Sequence, residues 1–104
     1  MIYSYSEYVP MLKAFADETR LKILDMLSCG ELCACELLCQ LNITQPTLSY
    51  HMKMLTECQL VEARKDGIWM KYKLNDTKVA EYKKFIDKLL SNKENCCCKK
   101  KQEG

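Results

Sequence analysis

Apolar residues recur along the first third of the chain at the spacing of an α-helix. A first helix is indicated by four of them, at intervals of three, four and three positions: Tyr5, Tyr8, Leu12 and Phe15. Asp17 is a favourable N-cap for a second helix, and Gly30 can take the left-handed conformation that often follows a helix C-terminus. The apolar residues of the second helix cover a wide arc: Leu21, Ile23, Leu24, Met26 and Leu27. We therefore expect this helix to be buried on several sides.

The middle of the chain predicts two helices joined by a tight turn. A short third helix from about Glu36 to Leu41 should end at Asn42, which can adopt a left-handed conformation. Thr44 can then cap a fourth helix with Pro46 in its first turn, where the missing N–H costs nothing. One face of this helix is apolar and should be buried: Leu48, Met52 and Leu55. The opposite face is polar: Gln45, Thr47, Ser49, Tyr50 and Lys53.

After Gln59 the apolar period changes to two, which is typical of a half-buried strand. The inward positions of this strand are predicted to be Ile68, Met70, Tyr72 and Leu74. Its partner is the segment Leu60 to Lys65, and Asp66-Gly67 between the two strands is a strong hairpin signal. A last helix within Val79 to Leu90 repeats the three-four-three spacing, with these apolar residues: Val79, Tyr82, Ile86 and Leu89.

Four helices, a β-hairpin and a fifth helix make a mainly α fold of the winged helix-turn-helix class. The fourth helix would enter the major groove of DNA, and the hairpin would flank it as a wing. Residues 1–91 should form this domain, and residues 92–104 a flexible tail rich in cysteine and lysine. Because so small a core is marginal alone, we expect a homodimer through the first and last helices, with two reading helices about 34 Å apart.

Composition and charge narrow the function classes. The 104 residues suffice for one domain, and they include 3 glycines and 1 histidine. This is too little glycine for a phosphate-binding loop and too little histidine for catalytic triads or multi-histidine metal centres, so we expect no enzyme activity.

Charge is distributed unevenly along the chain. Residues 1–43 carry three basic and six acidic side chains, residues 44–74 carry five and three, and residues 75–104 carry eight and five. Double-stranded DNA should therefore approach the middle and the end of the chain.

Whether cysteines are reduced or form disulfides depends on the cellular compartment of the protein. No stretch approaches the roughly 20 apolar residues of a membrane span, and the N-terminus lacks the pattern of a secretion signal. We therefore expect a cytoplasmic protein with no membrane partner. The 8 cysteines then indicate reduced thiols that bind metal or sense oxidants, rather than a disulfide framework. Among them, Cys29 and Cys58 are expected to fill the core.

Four segments resemble the ArsR/SmtB family of bacterial metal-responsive repressors, and in particular its arsenic sensors. They are FADETRLKIL at 15–24, ELCACEL at 31–37, QPTLSYHMKML at 45–55 and DGIWMKY at 66–72. The resemblance extends from about Tyr8 to Leu89. It implies a homodimer that binds operator DNA when empty and releases it when trivalent arsenic or antimony, As(III) or Sb(III), occupies its thiolates.

Two surfaces are predicted to contact DNA. The polar face of the fourth helix carries groups suited to base edges and phosphates: Gln45, Thr47, Ser49, Tyr50 and Lys53. His51 on the same helix is either a partly buried hydrogen-bonding residue or a further DNA contact. Arg64, Lys65 and Lys71 on the hairpin are placed to touch backbone phosphates, and their alternative is an ordinary solvated wing.

Thiolates are soft ligands of the kind that trivalent arsenic prefers, and Cys33 and Cys35 are the first candidates. Two positions along an ideal helix correspond to a rotation of about 200°. Both sulfurs can therefore face one ion only if the backbone there is not helical. Ion capture could then unwind or tilt the third helix, which supports the reading helix across a short turn.

The third thiolate ligand of the ion has two possible sources. Arsenic sensors of the resembling type commonly show Cys-x-Cys-x-x-Cys, and Leu38 stands at the third position of that pattern here. Cys39 lies four residues after Cys35 on the same helical face and could complete the site, although it is also a core candidate. The alternative ligands are on the tail: Cys96, Cys97 and Cys98. Zinc-sensing members use carboxylate and imidazole ligands on the last helix, and the absence of histidine there excludes that site.

The same fold could also serve to sense other soft ions, to sense oxidants or to bind protein. Clustered thiolates would also accept cadmium, lead or mercury, and two of them suffice for an organoarsenical. A thiol-redox repressor would instead form a disulfide on oxidation. A winged helix that binds only protein is disfavoured by the polar face of the fourth helix.

Overall fold

The computed structural model of the protein describes residues 4–92. Its elements follow in the order α1 Tyr5–Phe15, α2 Glu18–Leu27, β1 Leu32–Cys33, α3 Ala34–Gln40, α4 Gln45–Glu57, β2 Val61–Asp66, β3 Trp69–Leu74 and α5 Asp76–Leu90. The fold is mainly helical with a small antiparallel sheet, as expected for a winged helix-turn-helix. No helix in the described range is long and apolar enough to cross a membrane.

Side-chain caps set the starts of three helices. Asp17 accepts a hydrogen bond from the backbone N–H of Arg20, Thr44 accepts one from Thr47, and Asn75 accepts one from Lys78. These caps satisfy N–H groups that have no partner within the helix. The predicted starts of α2 and α4 are therefore confirmed.

The third helix differs from its prediction at both ends. It begins at Ala34 rather than Glu36, because the extended backbone of Cys33 already serves as its N-cap. It ends in an extended residue, Leu41, with φ of −105°, and Asn42 does not take a positive φ. Gly30 does, at +139°, and so ends the turn after α2 as predicted.

The sheet contains one strand that the sequence did not predict. Strand β1 pairs with β3, and β3 pairs with β2, so the order is β1-β3-β2 and both pairings are antiparallel. In β1, Leu32 lies opposite Tyr72 and Cys33 lies opposite Lys71. Two residues are too few to show a period of two, so only the contact with β3 identifies this strand.

The hairpin turn is shifted by one residue from its predicted position. Asp66 pairs with Trp69, so the two connecting residues are Gly67-Ile68 and not Asp66-Gly67. Gly67 takes a φ of +66°, a conformation that costs glycine little. As a result Ile68, predicted to point inward, is 86% exposed at the tip of the wing. Tyr72 and Leu74 do pack against the core.

The core lies where α1, α2, α3, α4 and α5 meet the base of the hairpin. Its most deeply buried large side chains are Met11, Ile23, Leu37, Leu48 and Leu55. Each such side chain contributes roughly 1.5–3 kcal/mol by leaving water. The buried face of α4 agrees with the prediction.

The buried face of α1 differs from the prediction. It consists of Tyr8, Met11 and Ala14, whereas Tyr5 is 70% exposed and Leu12 38% exposed. The ring of Tyr8 stacks on Phe85 of α5, with centroids 4.0 Å apart. The face of α1 that packs against α5 of the same chain is therefore rotated about the helix axis relative to the apolar face that the spacing predicted.

Candidate nucleic-acid interface and thiol site

Helix α4 separates an apolar face from a polar one. Leu48, Met52 and Leu55 are buried in the core. The five polar residues predicted to face DNA are all exposed: Gln45, Thr47, Ser49, Tyr50 and Lys53. The helix therefore presents hydroxyl, amide and ammonium groups together on one surface, which suits base edges and phosphate oxygens.

His51 lies on the inner side of the same helix and is 7% exposed. Its Nδ1 receives a hydrogen bond of 3.1 Å from Nη1 of Arg20. Because a guanidinium has only donors, Nδ1 is the acceptor and the ring proton lies on Nε2. The structure thus gives His51 a structural partner, and its contact with DNA stays a prediction.

Arg20 is a buried cation whose role the sequence analysis missed. It is 6% exposed, and its Nε and Nη2 donate to the carbonyl oxygens of Ala14 and Lys13 at 2.8 and 3.3 Å. It therefore joins the end of α1 to His51 of α4 from a position on α2. A signal did exist, because Arg20 shares the buried face of α2 with Ile23 and Leu27 at a spacing of three and four. A charge on an apolar face implies a buried polar partner.

Asp17 completes this polar cluster. The hydrogen bond from the backbone N–H of Arg20 holds the pKa of the Asp17 carboxyl below its usual 3.8 despite some desolvation, and the charge of Arg20 acts in the same direction. The carboxylate form is thus favoured in the folded protein. Asp17, Arg20 and His51 together fix the start of α2 against the reading helix.

Carboxylates hold two of the three wing cations that are predicted to contact DNA. Arg64 donates from Nε and Nη2 to both oxygens of Glu31, at 3.0 and 2.9 Å. This pairing lowers the pKa of Glu31. Lys71 lies 3.0 Å from Asp66, whereas Lys65 is exposed and forms no ion pair within residues 4–92. Arg64 and Lys71 therefore have protein partners that DNA would have to replace.

The structure brings the sulfurs of Cys33 and Cys35 into bonding contact, as a disulfide. Cys33 has an extended backbone, with φ of −87° and ψ of 162°, and Cys35 lies in the first turn of α3. The non-helical backbone that convergence requires is therefore present. The backbone N–H of Cys33 also donates to Oε1 of Glu36 at 2.8 Å, which fixes this helix start. Both cysteines are half-buried.

The described residues do not supply a third ligand. No group of three His, Cys, Asp or Glu side chains within residues 4–92 is placed to hold a metal ion, so Cys39 does not join the pair in this conformation. Cys39 is exposed on α3, which contradicts its core alternative. The tail candidates, and the tail predicted from residue 92 onward, lie outside the described residues except for Asn92 itself. Those candidates are Cys96, Cys97 and Cys98.

The two cysteines expected in the core have different environments. Cys58 is buried, and burial raises the pKa of its thiol, so it is a poor nucleophile. Cys29 is exposed, which contradicts the prediction. It lies between the end of α2 and Gly30, on a turn that runs over the surface.

Known proteins share this sequence and fold. Residues 17–63 match the family described as bacterial regulatory protein, arsR family. The arsenical resistance operon repressors of Staphylococcus xylosus and Staphylococcus aureus are each 44% identical over 101 residues, which is 97% of this chain and 97% of theirs. The chain belongs to the ArsR family.

The ArsR-family assignment agrees with solved structures. HlyU from Vibrio cholerae superimposes with a TM-score of 0.70 at 36% identity, over 86% of this chain and 98% of that one. The ArsR-family helix-turn-helix matched in sequence includes α3, α4 and the Cys33–Cys35 pair. The protein is a DNA-binding transcriptional regulator and not an enzyme.

Proposed function

We propose that the protein is a metalloid-responsive repressor. It binds operator DNA as a homodimer and dissociates when As(III) or Sb(III) binds cysteine thiolates. The observation that carries this proposal is the convergence of the Cys33 and Cys35 sulfurs at the start of α3. Thiolates are the ligands that soft ions prefer. The arsenical resistance repressors that resemble the chain over nearly its whole length support the same inducer.

The ligand set would consist of Cys33, Cys35 and one further thiolate. Cys39 is on the same short helix and exposed, so a shift of α3 would be needed to bring it to the pair. One of Cys96, Cys97 and Cys98 is the alternative. Either source supplies sulfur donors, so cadmium, lead or mercury would compete for the same site.

Release would begin at the boundary between β1 and α3. Cys33 is extended and Cys35 helical, so the pair spans the first turn of α3. Helix α3 ends at Gln40 and α4 begins at Gln45, which makes the connection to the reading helix short. Specific operator affinities are typically 10⁻⁸ to 10⁻¹¹ M, so a loss of two to three powers of ten, a coupling of about 3 to 4 kcal/mol, is enough for induction.

Exposed apolar residues on α1 and α5 support dimer formation. Val9 and Leu12 are 39% and 38% exposed on α1, and Leu89 and Leu90 are 43% and 76% exposed on α5. These side chains do not contribute to the core of a single chain. Pairing them across a two-fold axis would bury them and present two copies of α4 to DNA.

The test is a double substitution, Cys33→Ser with Cys35→Ser. We expect operator binding within about threefold of wild type and loss of release by arsenite, because serine keeps the backbone but is not a soft ligand. Gel-shift titrations with and without arsenite, under reducing conditions, measure both effects. Cys29→Ser, at an exposed cysteine outside the pair, is the control and should respond normally. A double variant that arsenite still releases would place the sensor elsewhere.

The contact between the two sulfurs also favours a second candidate, a sensor of peroxides. Two thiols would reduce one peroxide, giving the Cys33–Cys35 disulfide, water and the corresponding alcohol or a second water. Release by hydrogen peroxide without arsenite would support this function. Release by arsenite with excess reductant present would support the first.

A further inference from the structure

One row of the sheet connects the thiol pair to the wing. Cys33 of β1 lies opposite Lys71 of β3, and Lys71 lies opposite Arg64 of β2. Paired residues in an antiparallel sheet place their side chains on the same face, with Cβ atoms about 4.5–5.5 Å apart. Arg64 and Lys71 of the wing therefore share one face of the sheet with the first thiol.

Glu31 makes a second connection to the same row. It stands two positions before Cys33, and its carboxylate holds Arg64 through two hydrogen bonds of 3.0 and 2.9 Å. The segment that carries the thiol is thus joined to the wing by a backbone ladder and by a bidentate ion pair.

We propose that Glu31 is a positioning residue that transmits occupation of the thiol pair to the wing by controlling Arg64. The inference rests on the proposed function, because it assumes that arsenite binds Cys33 and Cys35. It adds a route from the ion to DNA that passes through the wing and not through α4.

The chemistry of Arg64 explains how ion binding at the thiol pair would change the affinity for DNA. A guanidinium offers one planar fork of donors, which fits a carboxylate and a phosphate in the same bidentate way. Glu31 and a DNA phosphate therefore compete for Arg64. An ion that ties Cys33 to Cys35 restricts the end of β1, which keeps Glu31 against Arg64. Without the ion β1 can move, and Arg64 can turn to phosphate.

The experiment compares Glu31→Gln with Glu62→Gln. Glu62 is an exposed carboxylate of β2 that pairs with Lys73 at 3.6 Å, so its substitution removes the same charge from the wing surface without touching β1. The probe is a DNA duplex selected from random sequence by the wild-type protein. Its Kd is measured with and without arsenite, under reducing conditions, and the ratio of the two Kd values is the release factor.

We expect a release factor of about 10² to 10³ for wild type and for Glu62→Gln. For Glu31→Gln it should be at least about fivefold smaller, because the competitor for Arg64 is gone. Arg64→Gln should weaken DNA binding and reduce the salt slope by about 1. In that background Glu31→Gln should have no further effect on the release factor, since the two residues act through one contact.

The ultraviolet absorption of the arsenic–thiolate bonds measures arsenite binding directly. Loss of that binding in Glu31→Gln would place Glu31 in the ion site and overturn the proposal. Equal release factors for the two glutamine variants would overturn it as well, while the proposed function stands. A wild-type protein that arsenite does not release would instead contradict the proposed function, and this inference with it.

Discussion

Arg20 shows how one side chain can join three helices. It lies on α2, donates to two carbonyl oxygens at the end of α1 and reaches His51 on α4. The carbonyl of Ala14 needs this donor because a buried carbonyl group without a partner is costly, whereas the carbonyl of Lys13 also accepts from the backbone N–H of Ala16. The position of the reading helix against the rest of the core therefore depends on one buried guanidinium.

Substitution of Arg20 should destabilise the fold strongly. Arg20→Ala leaves the Ala14 carbonyl and the His51 ring without this donor and removes one of two donors to the Lys13 carbonyl, so we expect the free energy of unfolding to fall by about 2–4 kcal/mol. Urea denaturation followed by circular dichroism measures the change. Lys22→Ala is the matched control, because Lys22 is an exposed cation on the same helix, and its loss should cost less than about 0.5 kcal/mol. Equal effects of the two substitutions would contradict the role of Arg20.

The lowered pKa of Asp17 predicts that the fold loses stability in acid. Its pKa is lower in the folded chain than the usual 3.8, so its carboxylate stabilises the fold above about pH 3.8 and loses that effect as the pH falls through the lowered value. Asp17→Asn keeps a capping oxygen but removes the charge. We expect the melting temperatures of wild type and variant to converge as the pH is lowered from 6 to below 3. A gap that stays constant over this range would rule out the charge as its cause.

At the scale of elements, the two parts of the DNA-contacting surface were predicted with different success. Helix α4 has the cap and both faces that its sequence indicated. The hairpin was also found, but its turn is shifted to Gly67-Ile68 and it has an additional neighbour, β1. That neighbour is supplied by a segment about forty residues away, so no pattern within the hairpin could have revealed it.

The polar face of α4 can be tested without disturbing its apolar face. Ser49→Ala with Lys53→Ala should weaken operator binding by about ten- to a hundredfold, because it removes a base or phosphate donor and a phosphate-binding cation. The melting temperature should change little, since both side chains are exposed. Fluorescence anisotropy and thermal denaturation measure the two effects. The control removes the same groups from α2 and its C-cap, with Lys22→Ala and Ser28→Ala, and should bind normally. Unchanged binding by the α4 variant would remove this face from the interface.

At the scale of the whole molecule, the single chain leaves apolar surface uncovered. A cavity of about 440 Å³ opens between α2, α5 and the base of the hairpin, with mostly apolar lining residues that include Leu24, Val79 and Ile86. Exposed leucines on α1 and α5 add to this surface. A small core gains stability by covering such surface, so a second copy of the chain is the partner that we propose.

Charges placed on this surface should separate the proposed dimer. Leu12→Glu with Leu89→Glu would bury two carboxylates in each half of the interface, so we expect a monomer in sedimentation equilibrium and operator binding weakened at least about a hundredfold. Ile68→Glu is the control for assembly, because Ile68 is 86% exposed at the tip of the wing. It should leave the assembly unchanged. A double variant that remains dimeric would move the interface to another surface.

Features that arise within a few residues could be predicted from the amino-acid sequence. Helix starts such as Thr44, the two faces of α4 and the existence of the hairpin follow from capping and periodicity, which act locally. Tertiary structure decided the contacts between distant residues. Arg20 meets His51 across 31 positions, and Arg64 meets Glu31 across 33. Such pairs form only when packing brings their elements together, so local spacing could suggest their chemistry but not their partners.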